Sequence, residues 1–221
     1  MPITETTIAD LRTYSILPDM IDSIVILLHG YGSNGMDVIS LAEEWAPLCP
    51  NTAFISPDAP YPCEMGGAGF QWFSLSNYSR DVMKNHINSE WKTLDRFVTN
   101  VLDQFNIGSD RLILSGFSQG CMMALHTGLS RDNGCAGILG YSGMLLDMGI
   151  LTSENQKRFP PVCLIHGTAD SVVPVQAWDE AMQALTANGI TVTGHKTPGL
   201  AHGIDLNGLK TGLDFIQSLT A

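Results

Sequence analysis

The residues best suited to chemistry form the run Gly116-Phe117-Ser118-Gln119-Gly120, in which a serine stands between two glycines. Residues 111–115 before it are an apolar run typical of a buried strand, and residues 121–129 after it read as a helix. A serine at the apex of a sharp strand-to-helix turn has a strained backbone, and side chains at the flanking glycines would crowd that turn. The pattern therefore predicts that Ser118 is a nucleophile.

An acid and a histidine should follow in chain order to activate such a serine. Asp170 comes just after the apolar strand predicted at residues 161–166, and the carboxyl ends of strands are where α/β folds carry their chemistry. His202 lies on a turn-rich loop between a strand at 191–195 and the last helix. His202 would take the hydroxyl proton and return it to the leaving group, while Asp170 would hold the imidazole in one tautomer. We therefore predict the catalytic triad Ser118, Asp170 and His202.

Other residues compete for the two supporting roles. Asp147 follows an earlier strand, Asp205 comes after the histidine, and Asp170 itself could instead cap the helix that follows it. His195 is the strongest rival base, but it lies within a strand rather than on the loop after it. The remaining histidines fit structural or surface positions: His29, His86, His126 and His166.

An acyl-transfer site must also stabilise the oxyanion that forms on the carbonyl oxygen, usually with two backbone N–H groups. The N–H of Gln119 is the first expected donor, because it opens the elbow helix, where the helix dipole adds positive potential. The second is the N–H of Tyr31, in the glycine-rich loop 29–35 after the apolar strand 24–28. The alternative for this loop is a plain strand-to-helix turn.

Segments along most of the chain resemble the carboxylesterase, acyl-protein thioesterase and lysophospholipase group of small α/β-hydrolases. The matching segments are Leu28-His29-Gly30-Tyr31-Gly32, Pro57-Asp58-Ala59-Pro60, Gln71-Trp72-Phe73, the serine motif, His166-Gly167-Thr168-Ala169-Asp170 with Val173-Pro174, and Gly199-Leu200-Ala201-His202. The resemblance implies the same triad, the same oxyanion pair and an α/β-hydrolase fold without a large cap domain.

Two positions depart from the usual pattern of that group. Tyr31 stands where the group usually has leucine, which changes the pocket wall but keeps the backbone N–H. Cys121 stands where a second glycine commonly follows the serine motif. A cysteine in the first turn of a helix can have a lowered pKa, so one hypothesis is that Cys121 makes the protein sensitive to thiol reagents. The alternative is a small, packed side chain.

The elements that must position these residues alternate between strands and helices. Strands are predicted at residues 14–17, 24–28, 52–56, 111–115, 137–141, 161–166 and 191–195, and helices at 37–46, 82–105, 121–129, 177–187 and 205–219. This alternation predicts an α/β fold with one doubly wound, mostly parallel sheet and helices on both faces. No linker or repeat interrupts it, so residues 1–221 are interpreted as a single domain.

The long irregular segment 57–80 is rich in glycine and aromatic residues, which suggests an apolar flap over the site. A second apolar loop follows the strand at 137–141, and the resemblance adds the segment around residue 173. The predicted acyl-contacting residues are Tyr61, Met65, Phe70, Trp72, Phe73, Met144, Leu145, Leu146 and Val173. The alternative is that these side chains simply complete the core. Apolar walls favour a short- to medium-chain aliphatic acyl group.

Composition limits the partners and the cellular compartment that we expect for this chain. A net charge of −11 argues against nucleic acid or an anionic membrane as a partner. The five cysteines form no C-x-x-C or metal-binding spacing, and we see no export signal, so reduced thiols in a cytoplasm are expected. No apolar run approaches the roughly 20 residues that span a bilayer.

The expected mechanism is two-step acyl transfer through an acyl-enzyme on Ser118, cleaving an ester or thioester without a metal or cofactor. The leaving group stays open between a small alcohol, a lysophospholipid and a protein cysteine. Two other classes remain, a dienelactone-hydrolase-like enzyme, which would need a cysteine nucleophile, and a catalytically silent scaffold. The family resemblance also suggests a homodimer.

Overall fold

A computed structural model describes residues 1–152 and 159–220 of the chain. Its strands are β1 (Thr4–Ile8), β2 (Leu11–Ile16), β3 (Ser23–Leu28), β4 (Thr52–Pro57), β5 (Tyr61–Pro62), β6 (Phe70–Gln71), β7 (Leu112–Phe117), β8 (Gly137–Tyr141), β9 (Val162–Gly167) and β10 (Val192–Thr197). Its α-helices are α1 (Gly35–Ile39), α2 (Ala42–Trp45), α3 (Arg80–Phe105), α4 (Gln119–Ser130), α5 (Gln176–Ala187) and α6 (Leu206–Thr220).

Eight of the strands form one sheet in the order β1-β2-β4-β3-β7-β8-β9-β10. The strands from β4 to β10 in this order pair in parallel, whereas β2 is antiparallel to both β1 and β4. The short strands β5 and β6 form a separate antiparallel hairpin inside segment 57–80. The predicted mostly parallel, doubly wound sheet is therefore confirmed, and no large cap domain interrupts it within the described residues.

Helices cover both faces of the sheet because successive side chains of its central strands point to opposite sides. In β3, Ile24, Ile26 and Leu28 pack in the core that contains α3, α4 and α5. Val25 and Leu27 pack in the opposite core, with α1, α2 and α6. The strands at the centre of the sheet are consequently apolar throughout, which is why their sequence reads as continuous hydrophobic runs.

One local prediction was wrong, and one strand was not predicted. The helix expected at residues 37–46 is broken into α1 and α2, because the Ser40 hydroxyl donates to the Asp37 carbonyl at 2.6 Å and competes with the helical backbone bonds. Strand β1 was not predicted, because four of its five residues are exposed and polar and leave no apolar pattern. None of the helices in the described ranges combines the length and apolarity needed to cross a bilayer.

The parallel arrangement sets where chemistry can occur. The carboxyl ends of β3, β7, β8, β9 and β10 all lie at the same edge of the sheet. The loops that follow these strands carry Tyr31, Ser118, Ser142, Asp170 and His202. The predicted site residues therefore meet at one edge although they span most of the chain.

Candidate active site

Ser118 lies at the apex of the turn between β7 and α4, with φ 55° and ψ −117°. This left-handed region is rarely adopted by residues other than glycine. A Cβ on Gly116 would lie 2.3 Å from the carbonyl of Gly120, and a Cβ on Gly120 would lie 2.1 Å from the Leu28 carbonyl oxygen. The two flanking glycines are therefore required by the close approach of the backbone, as the motif predicts.

The loop after β8 supports this turn from the other side. The Ser118 N–H donates to the Tyr141 carbonyl at 2.9 Å, and a Cβ on Gly143 would lie 3.0 Å from the Ser118 carbonyl oxygen. Ser142, with φ 48°, donates its hydroxyl to the carbonyl of Gly203 at 3.3 Å. This loop therefore connects the serine turn to the loop that carries His202.

His202 and Asp170 are joined by a short hydrogen bond, 2.7 Å between Nδ1 and Oδ2. The other carboxylate oxygen, Oδ1, accepts the N–H groups of Val172 at 2.9 Å and Val173 at 2.8 Å. Burial alone would raise the pKa of Asp170, but the hydrogen bond from His202 and the two backbone bonds outweigh it and lower that pKa below its usual value. Asp170 is therefore held as a carboxylate, and it fixes the orientation of the imidazole.

The imidazole of His202 lies beside the serine turn. Its ring packs on Phe117, the residue before Ser118, with ring centroids 4.8 Å apart. The side chain is 18% exposed, so one side of the ring faces solvent and the other faces protein. Because a carboxylate can only accept, Nδ1 carries the proton shared with Asp170, and in the neutral tautomer the lone pair is therefore on Nε2.

The loop that carries His202 is fastened to the end of β9. The Ala169 N–H donates to the Leu200 carbonyl at 2.9 Å, and the Thr168 N–H donates to the Thr197 carbonyl at 3.0 Å. A Cβ on Gly167 would lie 2.2 Å from the Leu200 carbonyl oxygen, so the two loops touch through their backbones. The acid and the histidine are therefore carried by one rigid unit.

His166 is a supporting residue that the sequence reasoning treated as merely structural. Its Nε2 lies 2.9 Å from the carbonyl of Val173 and 3.3 Å from Oδ2 of Asp170. A carbonyl only accepts, so Nε2 carries the proton and donates it to Val173, and the Asp170 carboxylate lies close to the same ring nitrogen. In the sequence, the only indication of this role is that His166 stands near the end of a buried strand, four residues before Asp170.

The loop after β3 lies against the serine turn. A Cβ on Gly30 would lie 3.3 Å from the Cβ of Ser118, so the loop and the serine turn are in close contact there. Burial, followed by a hydrogen bond with the thiol of Cys63, raises the pKa of Tyr31 to about 12. The Tyr31 hydroxyl is therefore protonated at neutral pH and does not act as a base.

Segment 57–80 is fastened to this loop and to the serine turn by backbone bonds and one glutamine. The Gly32 N–H donates to the Phe70 carbonyl at 2.9 Å, and the Phe70 N–H donates to the Ser33 carbonyl at 2.8 Å. The Gln119 side chain, which the sequence reasoning did not consider, binds the backbone of residues 72 and 73. The segment thus lies along the edge of the candidate site.

The side chains predicted to contact an acyl group differ in accessibility. Five are almost fully buried, with at most 4% exposed: Trp72, Phe73, Leu145, Leu146 and Val173. Phe70 and Met144 are half-buried, whereas Tyr61 is 42% exposed and Met65 is 82% exposed. In this conformation the five buried side chains are part of the apolar core, and only the other four have appreciable accessible surface.

The rival acids and bases have other partners. Asp147 binds Lys84 at 2.9 Å and Asn88 at 3.1 Å, and Asp205 accepts the N–H of Gly208 at 2.8 Å in the first turn of α6. His195 lies within β10 and contacts Asn207 at 3.0 Å. These contacts explain the presence of the three side chains without giving them a role in the candidate active site.

Two further histidines are structural. His29 accepts the N–H of Ala59 through Nε2 at 2.9 Å and so holds the start of segment 57–80. His126 is buried in α4 with its ring 6.0 Å from that of Trp91, and burial lowers its pKa to about 4. Both side chains therefore contribute hydrogen bonding or packing inside the protein.

The hypothesis of a lowered pKa at Cys121 was wrong. The side chain is buried, and burial raises the pKa of its thiol to about 12. Its sulfur lies 2.5 Å from the points where Cβ atoms of Gly140 and Gly143 would be, so two glycines make room for it. The alternative of a small, packed side chain is the one the structure supports. Among residues 1–152 and 159–220, no three His, Cys, Asp or Glu side chains converge as a metal site.

Comparison with known proteins relates this chain to esterases and thioesterases. A sequence model of the phospholipase/carboxylesterase family matches residues 19–220. Acyl-protein thioesterase 1 of Gibberella zeae is 31% identical over 195 residues, covering 80% of this chain and 82% of its own. Esterase YpfH of Escherichia coli K12 is 26% identical, covering 88% of this chain and 82% of its own. The crystal structure of esterase PE8 superposes with a TM-score of 0.88 at 32% identity, over 99% of this chain and 100% of that one.

Proposed function

Because this chain belongs to the phospholipase/carboxylesterase family and is a hydrolase of the esterase or thioesterase type, we propose that it cleaves carboxylic esters through an acyl-enzyme on Ser118. The single observation that carries the proposal is the 2.7 Å bond between His202 and Asp170 beside a strained serine. An acid, a histidine and a serine on the same sheet edge are the parts needed for nucleophilic acyl transfer.

In the first step, Ser118 Oγ attacks the carbonyl carbon while Nε2 of His202 takes the hydroxyl proton. The lone pair on Nε2 is available because Nδ1 is committed to Asp170. The imidazolium then protonates the leaving oxygen or sulfur, and the acyl group stays on the serine. In the second step, His202 takes a proton from the water that attacks the acyl carbon. The bond from that carbon to Ser118 Oγ then breaks, His202 returns the proton to Oγ, and the acid is released.

Asp170 serves by staying ionised and holding the ring in one tautomer. Its lowered pKa supports this role. The oxyanion would be held by the backbone N–H groups of Gln119 and Tyr31. The position of Gln119 at the start of α4, where the helix dipole is positive, supports the first donor. The closeness of Gly30 to Ser118 supports the second.

The proposed acyl group is a short- to medium-chain aliphatic one. Phe70, Met144, Met65 and Tyr61 are the predicted wall residues with accessible surface, and all of them are apolar or aromatic. The buried members of the predicted set, Trp72 among them, would hold this wall in place without touching the substrate. All five cysteines are free thiols, which supports the further proposal that the enzyme works in a reducing cytoplasm.

The test is hydrolysis of p-nitrophenyl esters from acetate to palmitate by the full chain and by its Ser118→Ala variant. We expect activity to peak at short or medium chains and to fall by several orders of magnitude in the variant. A fluorophosphonate probe should label Ser118 in the full chain and nothing in the variant. Unchanged hydrolysis by Ser118→Ala would overturn the proposed mechanism.

A second candidate is a thioesterase acting on acylated protein cysteine, with a lysophospholipase as a further alternative for the leaving group. The observation that favours the thioesterase is the 31% identity to a protein named acyl-protein thioesterase 1. Matched octanoyl esters of an alcohol and of a thiol separate the candidates. A kcat/KM for the thioester far above that for the oxygen ester would favour the thioesterase, and equal values would favour a general carboxylesterase.

A further inference from the structure

The side chain of Gln119 makes a two-pronged contact with segment 57–80. Its Oε1 accepts the backbone N–H of Trp72 at 2.9 Å, and its Nε2 donates to the backbone carbonyl of Phe73 at 2.8 Å. The residue is 1% exposed, so both bonds are shielded from water. Both polar atoms of this buried amide are hydrogen-bonded, so the amide holds the backbone of residues 72 and 73 in place. Breaking either bond would leave a buried polar group without a partner.

The same segment is paired with the loop after β3. Phe70 exchanges two backbone bonds with Gly32 and Ser33, at 2.9 and 2.8 Å. The approach is close, because a Cβ on Gly69 would lie 1.9 Å from the Gly32 carbonyl oxygen. The backbone around Tyr31 is therefore held from the side of segment 57–80.

These contacts form a continuous path between the two N–H groups proposed for the oxyanion. The path starts at the Gln119 side chain, runs through the backbone of residues 73 to 70, and ends at Gly32, next to Tyr31. We propose that the Gln119 side chain is a positioning group that sets the separation of the two oxyanion donors, one of which is its own backbone N–H. This inference rests on the proposed function, because it concerns the same oxyanion.

The arrangement explains why an amide suits this position. A hydrophobic side chain would fill the space but leave the Trp72 N–H and the Phe73 carbonyl without these partners. A second bond, from the Trp72 indole N–H to the His29 carbonyl at 2.9 Å, anchors the segment to the residue after β3 rather than to Gln119. The Gln119 bonds are thus the ones that link the segment directly to the residue after Ser118.

The experiment compares Gln119→Ala with Gln71→Ala in the full chain. Gln71 is the matched control, because it is also a buried glutamine of this region, but its Oε1 accepts the Glu64 N–H at 2.8 Å, away from the serine turn. The measurements are kcat and KM for a p-nitrophenyl ester and the affinity for an alkyl trifluoromethyl ketone. The hemiketal that this ketone forms with a serine carries an oxyanion, so its affinity reports the donors directly.

We expect Gln119→Ala to lower kcat by about 10- to 100-fold, since displaced oxyanion donors act only in the transition state. KM should change by less than about threefold, and the affinity for the ketone should fall in parallel with kcat. Gln71→Ala should keep the kcat and the ketone affinity of the unmodified chain within about threefold, even if it lowers stability.

The nearly isosteric Gln119→Glu decides the matter if Gln119→Ala does not fold. Its protonated acid can still donate to the Phe73 carbonyl, whereas its carboxylate can only accept and is repelled. The ratio of its kcat to that of the unmodified chain should therefore rise as the pH falls from 8 to 5. With both proteins fully folded at each pH, a role limited to stability would not move this ratio.

Folded Gln119 variants with unchanged kcat and ketone affinity would overturn the inference, as would a loss confined to KM. Equal losses in the Gln71 control would also overturn it, because the effect would then belong to the segment as a whole. Failure of the proposed function is seen separately, as activity that survives in Ser118→Ala.

Discussion

Replacing His126 with phenylalanine should remove much of the acid sensitivity of the fold. His126 is 2% exposed, its Nδ1 has no hydrogen-bond partner among the described residues, and its ring packs near Trp91. Burial lowers its pKa to about 4, although the nearby charge of Asp147, which is itself paired with Lys84, acts in the opposite direction. The folded state therefore resists protonation of this ring.

The direction of this pH effect on stability follows from the number of protons that the folded and unfolded states bind. In the unfolded chain a histidine titrates near pH 6.5, so between pH 6.5 and 4 the unfolded state binds more protons than the folded state. Stability consequently falls as the pH drops through this window. For these two pKa values, lowering the pH from 7.5 to 5 reduces the free energy of unfolding by about 2 kcal/mol through this group alone.

The assay is urea unfolding at pH 7.5 and at pH 5, for the unmodified chain and for His126→Phe and His126→Gln. The two variants differ in packing but share the absence of a titrating ring. Both should therefore lose about 2 kcal/mol less than the unmodified chain between the two pH values, whatever their stability at pH 7.5. An equal loss in all three proteins would refute the reasoning, because His126 would then titrate in the folded state as it does in the unfolded chain.

Three further outcomes are expected. Gly120→Ala should lower the free energy of unfolding in urea by about 3 kcal/mol or more, because the new Cβ would lie 2.1 Å from the Leu28 carbonyl oxygen. A loss of less than about 1 kcal/mol would contradict the close approach of the two backbones. Asp170→Asn should lower kcat by about 10³- to 10⁴-fold through loss of the His202 tautomer, and the stability advantage of the unmodified chain should vanish as the pH falls through the lowered pKa of Asp170. Iodoacetamide should leave the native enzyme active and should modify Cys121 only after unfolding; inactivation that follows labelling of Cys121 would count against its burial.

The sheet and the serine turn could be predicted because their causes are local or periodic. Buried central strands such as β3 must be apolar on both faces, and that requirement is written into their sequence. The serine turn needs glycines on either side of Ser118, and their spacing is visible without a structure. Strand β1 left no such trace because its exposed polar residues are tolerated only by pairing with β2.

The supporting side chains could not be predicted, because their roles depend on contacts between distant residues. Gln119 acts on backbone groups 46 and 47 positions away, and only the folded chain brings them together. An aromatic segment around Trp72 and Phe73 is visible in the sequence, but aromatic composition does not say which rings are buried, and in the structure both are buried in the core. The break between α1 and α2 arises from one hydroxyl bond, which helix periodicity cannot register.

The close approach of Gly69 to Gly32 divides segment 57–80 into a fixed base and a variable tip. At the base, two backbones touch where a single methyl group would not fit. At the tip, Gly66 and Gly67 have nothing within 4 Å of where a Cβ would be, although their φ angles of 81° and 88° favour glycine in this conformation. A tip grafted from a related enzyme should therefore be accepted between β5 and β6, whereas a graft that replaces Gly69 should not. Diversification of this enzyme by loop exchange is thus confined to about half a dozen residues at the end of a short hairpin.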